Sequence, residues 1–261
     1  MSLLVDDYTL FKRKIKELLG LDLDGYKDDQ IKRRIKVLMD RVGAKDFLTF
    51  YKAIEKDPKL KKDFIDKVTI NVSEFFRNID QFEILKNKII PYLRDRFGAL
   101  NIWSAGCSYG NEPYSVAIIL NELKIKTFSL LATDIDEEAL KKAREGVYRI
   151  DELKNVSSER LSKYFIRVDE EYYKVVDNIR TSVKFNRLDL LKDQYPKGMH
   201  LILCRNVIIY FTQEAKEYVF KNISESLKED GILFLGNTER IFDPQRYKLK
   251  PVDLFFYKKV V

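Results

Sequence analysis

From Leu100 onward the chain alternates short apolar runs with helical stretches, and that alternation indicates an α/β domain with a mostly parallel sheet. The runs are Leu100–Trp103, Phe128–Ala132, Val183–Phe185, Leu201–Cys204 and Ile232–Leu235. Helical stretches fall at Pro113–Leu123, Glu137–Arg144 and about Gln213–Leu227. The tail, Leu249–Lys258, mixes aromatic and charged residues as a closing antiparallel strand does. Tyr164–Val168 and Tyr172–Val176 alternate around Asp169-Glu170-Glu171, which predicts a small antiparallel β insertion over about residues 164–182.

The N-terminal part has a different period. Phe11, Ile15 and Leu19 follow helical spacing, as do Ile31, Ile35 and Leu38. Phe47, Phe50, Tyr51 and Ile54 repeat it, then Leu60, Phe64, Ile65 and Val68. Breaks at Gly20 to Gly25, Gly43 and Asp57-Pro58 are helix stops, so a bundle of about four helices is expected. The predicted division is a helical domain with its linker over residues 1–77 and an α/β domain over residues 78–261. Met1 to Lys67 holds 17 basic against 13 acidic residues, so about four of the chain's net +7 charges lie there. Its cations cluster as Lys12, Arg13, Lys14, Lys16 and as Lys32, Arg33, Arg34, Lys36, Arg41. Such a cluster is either a solvated helix face or a docking face for an acidic partner.

Composition excludes several chemistries. With one histidine (His200) and two cysteines (Cys107 and Cys204), the chain has no material for a His-based triad, a zinc cage or a disulfide framework. His200 and Trp103 read as structural, and Cys107 as a small packing residue. No apolar stretch approaches the ~20 residues of a membrane span. The start, with Asp6 and Asp7, lacks a signal-peptide pattern, so a cytoplasmic setting without membrane insertion is expected.

In an open α/β sheet, ligands bind beyond the carboxyl ends of the strands. Polar residues gather there. Ala105-Gly106-Cys107-Ser108-Tyr109-Gly110-Asn111-Glu112 follows the first strand and opens a helix. It is not the G-x-G-x-x-G of dinucleotide sites, which weakens a nicotinamide reading and allows a ligand without a pyrophosphate. Glu112 could bind a ligand or offset the helix dipole. Asp134, ending the second strand, could accept the hydroxyls of a ribose or cap the next helix, a task open also to Asp136. Asp189, after the third strand, could accept from an adenine amino group. Arg205-Asn206-Val207 follows the strand Leu201–Cys204. Together these four strand ends describe a nucleoside pocket. At the domain junction, Asn71 and Glu74 read as a capping box with Phe75-Phe76 as core, which leaves Arg77 without a structural task.

Five ordered motifs carry a resemblance. They are Thr69-x-Asn71-x-Ser73-x-Phe75-Phe76-Arg77, Trp103-Ser104-Ala105-Gly106-Cys107-Ser108-Tyr109-Gly110-Asn111-Glu112-Pro113-Tyr114-Ser115, Ala132-Thr133-Asp134-Ile135-Asp136, Cys204-Arg205-Asn206-Val207-Ile208-Ile209-Tyr210-Phe211 and Gly236-Asn237-Thr238-Glu239. The chain resembles the CheR family of chemotaxis receptor glutamate methyltransferases over nearly its whole length. The resemblance implies a Rossmann-like class I S-adenosylmethionine-dependent methyltransferase domain, with an N-terminal helical bundle and a small antiparallel β insertion. It implies formation of glutamyl methyl esters on the cytoplasmic helices of chemoreceptors during adaptation, with S-adenosylhomocysteine as product and no metal. Carried over by motif, the cofactor contacts are Asn71, Ser73, Arg77, Glu112, Asp134, Asp189, Leu190, Asn206 and Val207. Arg77 and Tyr210 are the side chains expected near the methyl group, Arg77 to position a carboxylate and Tyr210 either to orient the substrate or to pack. The expected partner is a chemoreceptor cytoplasmic domain met by the basic helices, with the enzyme a monomer and no nucleic acid involved.

The chain departs from the family pattern at several points. Tyr109 and Asn111 stand where a small hydroxyl residue and an acid are more usual. Asp189 stands where Asn is common, and Gly236-Asn237-Thr238-Glu239 replaces a more usual Gly-His-Ser-Glu, so no role is assigned to it. The turn Asp169 to Tyr172 lacks the glycines of members that tether to a receptor C-terminal peptide. Two other readings compete: a methyltransferase for a nucleic acid or small molecule, and a non-catalytic module that binds the cofactor or a receptor. The first lacks an Asp/Asn-Pro-Pro-Tyr motif, and the retained Arg77, Glu112 and Asp134 oppose the second. A nicotinamide dehydrogenase is a distant further reading, because its glycine fingerprint is missing.

Overall fold

A computed structural model describes residues 6–69 and 73–261. The chain separates into two compact units, Met1–Asn71 with Tyr210–Glu217, and Val72–Ile209 with Tyr218–Val261.

The first unit is a bundle of α1 (Asp7–Leu19), α2 (Asp28–Val42), α3 (Phe47–Lys56) and α4 (Pro58–Thr69). Capping explains where these helices start. Asp6 accepts from Thr9 N–H at 2.9 Å and Asp46 from Thr49 N–H at 2.7 Å, each satisfying an orphan donor of a first turn. The apolar stripes meet in a core in which Phe11, Ile15, Phe50, Ile54 and Phe64 are fully buried. Phe11 touches the rings of Phe47 at 5.4 Å and Phe64 at 6.0 Å. The segment Tyr210–Glu217 joins this bundle through backbone pairing. Lys27 N–H donates to the Tyr210 carbonyl at 3.0 Å and Thr212 N–H to the Gly25 carbonyl at 2.9 Å. The Tyr26 and Phe211 rings meet edge-on at 5.2 Å.

The second unit begins with a turn and then α5 (Ile79–Ile84), a π-helical turn (Leu85–Ile89) and α6 (Ile90–Phe97). Alternation follows: β1 (Leu100–Ala105), α7 (Asn111–Glu122), β2 (Phe128–Asp134) and α8 (Glu137–Glu145). An excursion holds β3 (Val147–Arg149), α9 (Ser158–Tyr164), β4 (Phe165–Arg167), β5 (Tyr172–Val175) and α10 (Asp177–Arg180). The chain then returns through β6 (Val183–Arg187), β7 (Met199–Cys204), α11 (Gln213–Ser226, counted in this unit from Tyr218), β8 (Leu227–Leu235), β9 (Leu249–Asp253) and β10 (Phe256–Lys259).

The large sheet has the order β6-β2-β1-β7-β8-β10-β9. Its first five strands are parallel, and β10 and β9 are antiparallel. The parallel strands are buried runs, as helices on both faces require. Trp103, on β1, is fully buried and donates its indole N–H to Thr133 Oγ1 at 2.9 Å. His200 on β7 accepts from Asn101 N–H through Nδ1 at 2.9 Å and stacks on Phe97 at 4.2 Å. Burial lowers its pKa, so it is a neutral tie between β7 and β1. The insertion is a three-stranded antiparallel sheet, β3-β5-β4, one strand larger than the expected hairpin. Its turn is closed by Asp169, whose carboxylate accepts from Glu171 N–H and Tyr172 N–H at 2.8 Å each. That side chain supplies the turn closure that glycine supplies elsewhere.

Candidate active site

The sheet order reverses at β1: the chain winds outward through β2 and β6 on one side and through β7 and β8 on the other. The carboxyl ends of β6, β2, β1 and β7 therefore lie side by side at a topological switch point. Register keeps them level. Arg187 pairs with Asp134, Thr133 with Ala105, and Ser104 with Leu203.

Each strand end presents one polar group. After β1 the chain turns at Gly106, whose N–H donates to the Thr133 carbonyl at 2.8 Å. Gly106 has φ +78°, and a Cβ there would lie 2.4 Å from Val207 Cγ2. Only glycine fits a left-handed turn pressed against that side chain. Glu112, in the first turn of α7, accepts from the Ser104 hydroxyl at 2.8 Å and from Arg205 Nη1 at 3.1 Å. Each of its oxygens holds one such donor, and each keeps a lone pair for a ligand.

Asp134 ends β2. Its carboxylate accepts from Ser108 N–H at 2.8 Å and Asp136 N–H at 3.0 Å. The cap of α8 is Asp136, which accepts from Glu138 N–H at 3.0 Å and Ala139 N–H at 3.1 Å. Asp134 is thereby free of capping duty. Burial raises its pKa to about 6, against the pull of the two N–H donors. Beyond β6, Leu188 N–H donates to the Asp134 carbonyl at 2.9 Å. Asp189 is buried, accepts from Leu191 N–H at 2.8 Å, and has its pKa raised by that burial. Leu190 is buried beside it, with its carbonyl accepting from the Tyr195 hydroxyl at 2.6 Å.

Beyond β7 lies Arg205, its side chain only 2% exposed. The guanidinium donates to Glu112, to the Arg77 carbonyl at 2.9 Å, to Asn78 Oδ1 at 3.0 Å and to Gln81 Oε1 at 3.0 Å. It also lies 4.5 Å from the Phe234 ring centroid, a cation–π contact. Arg205 thus ties the turn before α5 to the start of α7. In that turn Phe76 is fully buried at φ +49°, a costly backbone state for an aromatic residue. The state is held by Phe76 N–H donating to Ser115 Oγ at 2.9 Å. Arg77 follows directly, half-buried, so strain and two anchors fix where its side chain starts.

The expected site residues Glu112, Asp134, Asp189, Leu190, Asn206 and Val207 thus lie at adjoining strand ends, with Arg77 tied to them through Arg205. Ser73 is half-buried four residues before Arg77. Asn71 lies outside the described residues. The capping box expected with Glu74 is not where a helix starts: α5 begins at Ile79, and Glu74 pairs with Lys154 at 2.7 Å. Tyr210 belongs to the helical unit, where Arg34 covers its ring at 4.9 Å. Cys107 is buried, with its thiol pKa pushed well up by burial, which suits a packing residue and not a nucleophile.

A family described as the CheR methyltransferase SAM binding domain matches residues 71–255, and the CheR methyltransferase all-alpha domain matches residues 6–69. The chain belongs to the CheR family. It is 40% identical over 255 residues to a chemotaxis protein methyltransferase of Listeria innocua, covering 97% of both chains. It is 34% identical over 248 residues to one from Escherichia coli, covering 90% of this chain and 85% of that one. A relative in Borreliella burgdorferi is 33% identical over 239 residues. This CheR-family chain is an S-adenosylmethionine methyltransferase, and its fold is the Rossmann-like one expected.

The site's donor set fits that cofactor. Acceptors stand at successive strand ends with apolar Leu190 and Val207 beside them, and Glu112 has lone pairs left for an ammonium group. A hydroxyl donated to Asp134 favours its ionised form. If Asp134 takes the cofactor's ribose hydroxyls, binding releases a proton where the empty site is protonated, and affinity is expected to rise with pH through about 6. Calorimetry with S-adenosylhomocysteine should show affinity falling by up to about tenfold per unit on acidification below that point. Asp134→Asn should flatten the slope; an unchanged slope would remove Asp134 from the binding linkage.

Two side chains of this CheR-family site carry no role in the sequence reading: Arg205 and Glu239. Both sit inside motifs that the sequence singles out. Their task depends on which loops the sheet brings together, and neither spacing nor charge pattern displays that.

Proposed function

We propose that this methyltransferase forms glutamyl methyl esters on the cytoplasmic helices of chemoreceptors, within bacterial chemotaxis adaptation. The observation that carries the reading is the row of strand-end groups, Glu112, Asp134, Asp189 and Asn206-Val207, in a chain whose relatives are named chemotaxis protein methyltransferases. S-adenosylmethionine supplies an electrophilic methyl group. Glu112 holds the cofactor's amine, Asp134 its ribose hydroxyls and Asp189 its adenine amino group. Leu190, Val207 and Asn206 line the base, and Asn71, Ser73 and Arg77 complete the contacts.

An acceptor glutamate with an ordinary pKa of ~4.3 is already ionised at neutral pH. The protein therefore needs no general base, and a chain with one histidine serves well. What it must supply is alignment and exclusion of water. Arg77 positions a carboxylate through its guanidinium fork. Strong pairing with the nucleophile would blunt it, so positioning is its task and not activation. Tyr210 orients the acceptor and is itself held by Arg34.

The receptor is met by the basic face of α2. Lys32, Arg33 and Lys36 are exposed there and, with Lys45, rim a cleft of about 350 Å³. Of these, Lys32 also lies over the Tyr8 ring at 4.3 Å, and other cations of the cluster form ion pairs within the unit: Lys12 with Asp24 at 2.7 Å, Lys16 with Asp22 at 2.5 Å and Arg41 with Asp63 at 2.5 Å. Arg34 packs on Tyr210, so charge reversal there would also disturb that ring. Reversing Arg33 and Lys36 to Glu is the cleaner test. Receptor affinity should weaken and lose part of its salt dependence while cofactor affinity stays constant. Unaltered receptor affinity would put the contact elsewhere.

The experiment that tests the function supplies methyl-labelled S-adenosylmethionine and a chemoreceptor cytoplasmic fragment, followed by mild base. Label released as volatile methanol identifies carboxyl methyl esters. Base-stable protein label would overturn the glutamate reading. Cofactor binding with no transfer to any receptor fragment would favour a binding module.

A further inference from the structure

After β8, the next strand over from β7, the chain turns through Gly236-Asn237-Thr238-Glu239. Glu239 is 3% exposed. Its carboxylate faces no cation at hydrogen-bond distance among the described residues. Instead it accepts from four backbone N–H groups: Asn206 at 2.7 Å, Val207 at 2.9 Å, Ile208 at 3.0 Å and Gly236 at 2.8 Å. Three consecutive N–H groups converging on one anion form a nest, a geometry that proteins often use for a bound anion. Here the chain fills the nest with its own side chain.

The backbone shows what the clamp holds. Asn206 has φ +61°, a left-handed state that asparagine tolerates better than most residues but that still needs support. Gly236 leaves the room required: a Cβ there would lie 2.7 Å from Glu239 Oε2 and 2.9 Å from Asn206 N. On its other side the turn is anchored by Gln81, whose amide donates to Asn237 Oδ1 and whose Oε1 accepts from Arg205. The held loop carries Asn206 and Val207, and Val207 in turn presses on Gly106 of the loop after β1.

We infer that Glu239 is a positioning residue for the cofactor: its carboxylate sets the backbone of Asn206-Val207, and through Val207 the Gly106 turn, in the conformation that binds S-adenosylmethionine. The inference rests on the cofactor assignment proposed above. It adds a residue that never needs to touch the ligand, on the loop after β8.

Removing an N–H clamp loosens a loop whether or not the loop binds anything, so stability alone does not test the idea. The decisive comparison is the affinity for S-adenosylhomocysteine, measured well below the melting temperature, for wild type, Glu239→Gln, Glu239→Asp and the core variant Ile223→Val. Glu239→Gln loses the charge that all four donors share. It should weaken affinity roughly tenfold or more, the scale of one charge-assisted hydrogen bond lost. Amide exchange at Asn206, Val207 and Ile208 should speed up in the same variant. Glu239→Asp keeps the charge and should recover part of both effects. Ile223 is fully buried on α11, so Ile223→Val should lower the melting temperature without moving affinity. Faster exchange with wild-type affinity in the Glu239 variants would overturn the inference and leave the cofactor reading standing. Absence of binding by the wild type would overturn both.

Discussion

Arg205→Met should cost about 3–5 kcal/mol of stability, the usual penalty for breaking a buried ion pair by removing one partner. The guanidinium is nearly inaccessible and bonds four separate acceptors. A methionine of similar length fills the volume beside Phe82 and Phe234 but donates nothing. Glu112 then stands without its cation, and the Arg77 carbonyl, Asn78 and Gln81 lose their shared donor. Chemical denaturation should show the loss directly. Arg205→Lys should not restore it, because one ammonium cannot reproduce a planar fork serving acceptors on two sides. Adding Glu112→Gln to Arg205→Met should recover part of the loss, because the uncompensated charge is gone. A denaturation midpoint within error of wild type would refute the view that this cation holds the site together.

Arg77→Ala should do the reverse: turnover should collapse by roughly 10²-fold or more, the scale of a lost positioning contact, while the fold survives. The distinction follows from which atoms are used. The bond from Arg205 reaches the Arg77 carbonyl, which alanine retains. The strained turn is anchored at Phe76 N–H, which is also retained. The side chain itself is half-buried and follows two core phenylalanines. Melting curves should therefore shift little, while transfer of labelled methyl to a receptor fragment falls steeply. Normal turnover in a folded Arg77→Ala protein would remove the residue from the chemistry.

Much of this arrangement is legible in one dimension. Strand ends announce themselves, because an apolar run followed by Gly, Asp or Asn has few other meanings in an alternating chain. Asp134 and Asp189 could be placed for that reason. The choice between Asp134 and Asp136 as cap could not be made, because both stand near the start of α8; the structure gives the cap to Asp136. The third strand of the insertion is hidden for a different reason. Val147–Arg149 has three residues with only Tyr148 buried, too short to show a period, and its partner β5 lies beyond α9. Glu239 and Arg205 are the clearest failures. A buried carboxylate neutralised by backbone donors, and a buried cation shared among four acceptors, both look in sequence like ordinary surface charges. Burial is decided by the closing of β8 on β7, which only the completed sheet determines.

The membership of Tyr210–Glu217 in the helical unit bears on how the protein is made. A nascent chain that has emerged only through α4 lacks the strand-like partner of Tyr26 and the ring that Arg34 covers. At cellular elongation rates of about 5–20 residues per second, that partner follows roughly 7–28 s later. Until then the bundle leaves the ribosome with a bare edge. Its completion waits on the synthesis of most of the catalytic unit, so an isolated N-terminal fragment and the same residues in the finished enzyme are different objects.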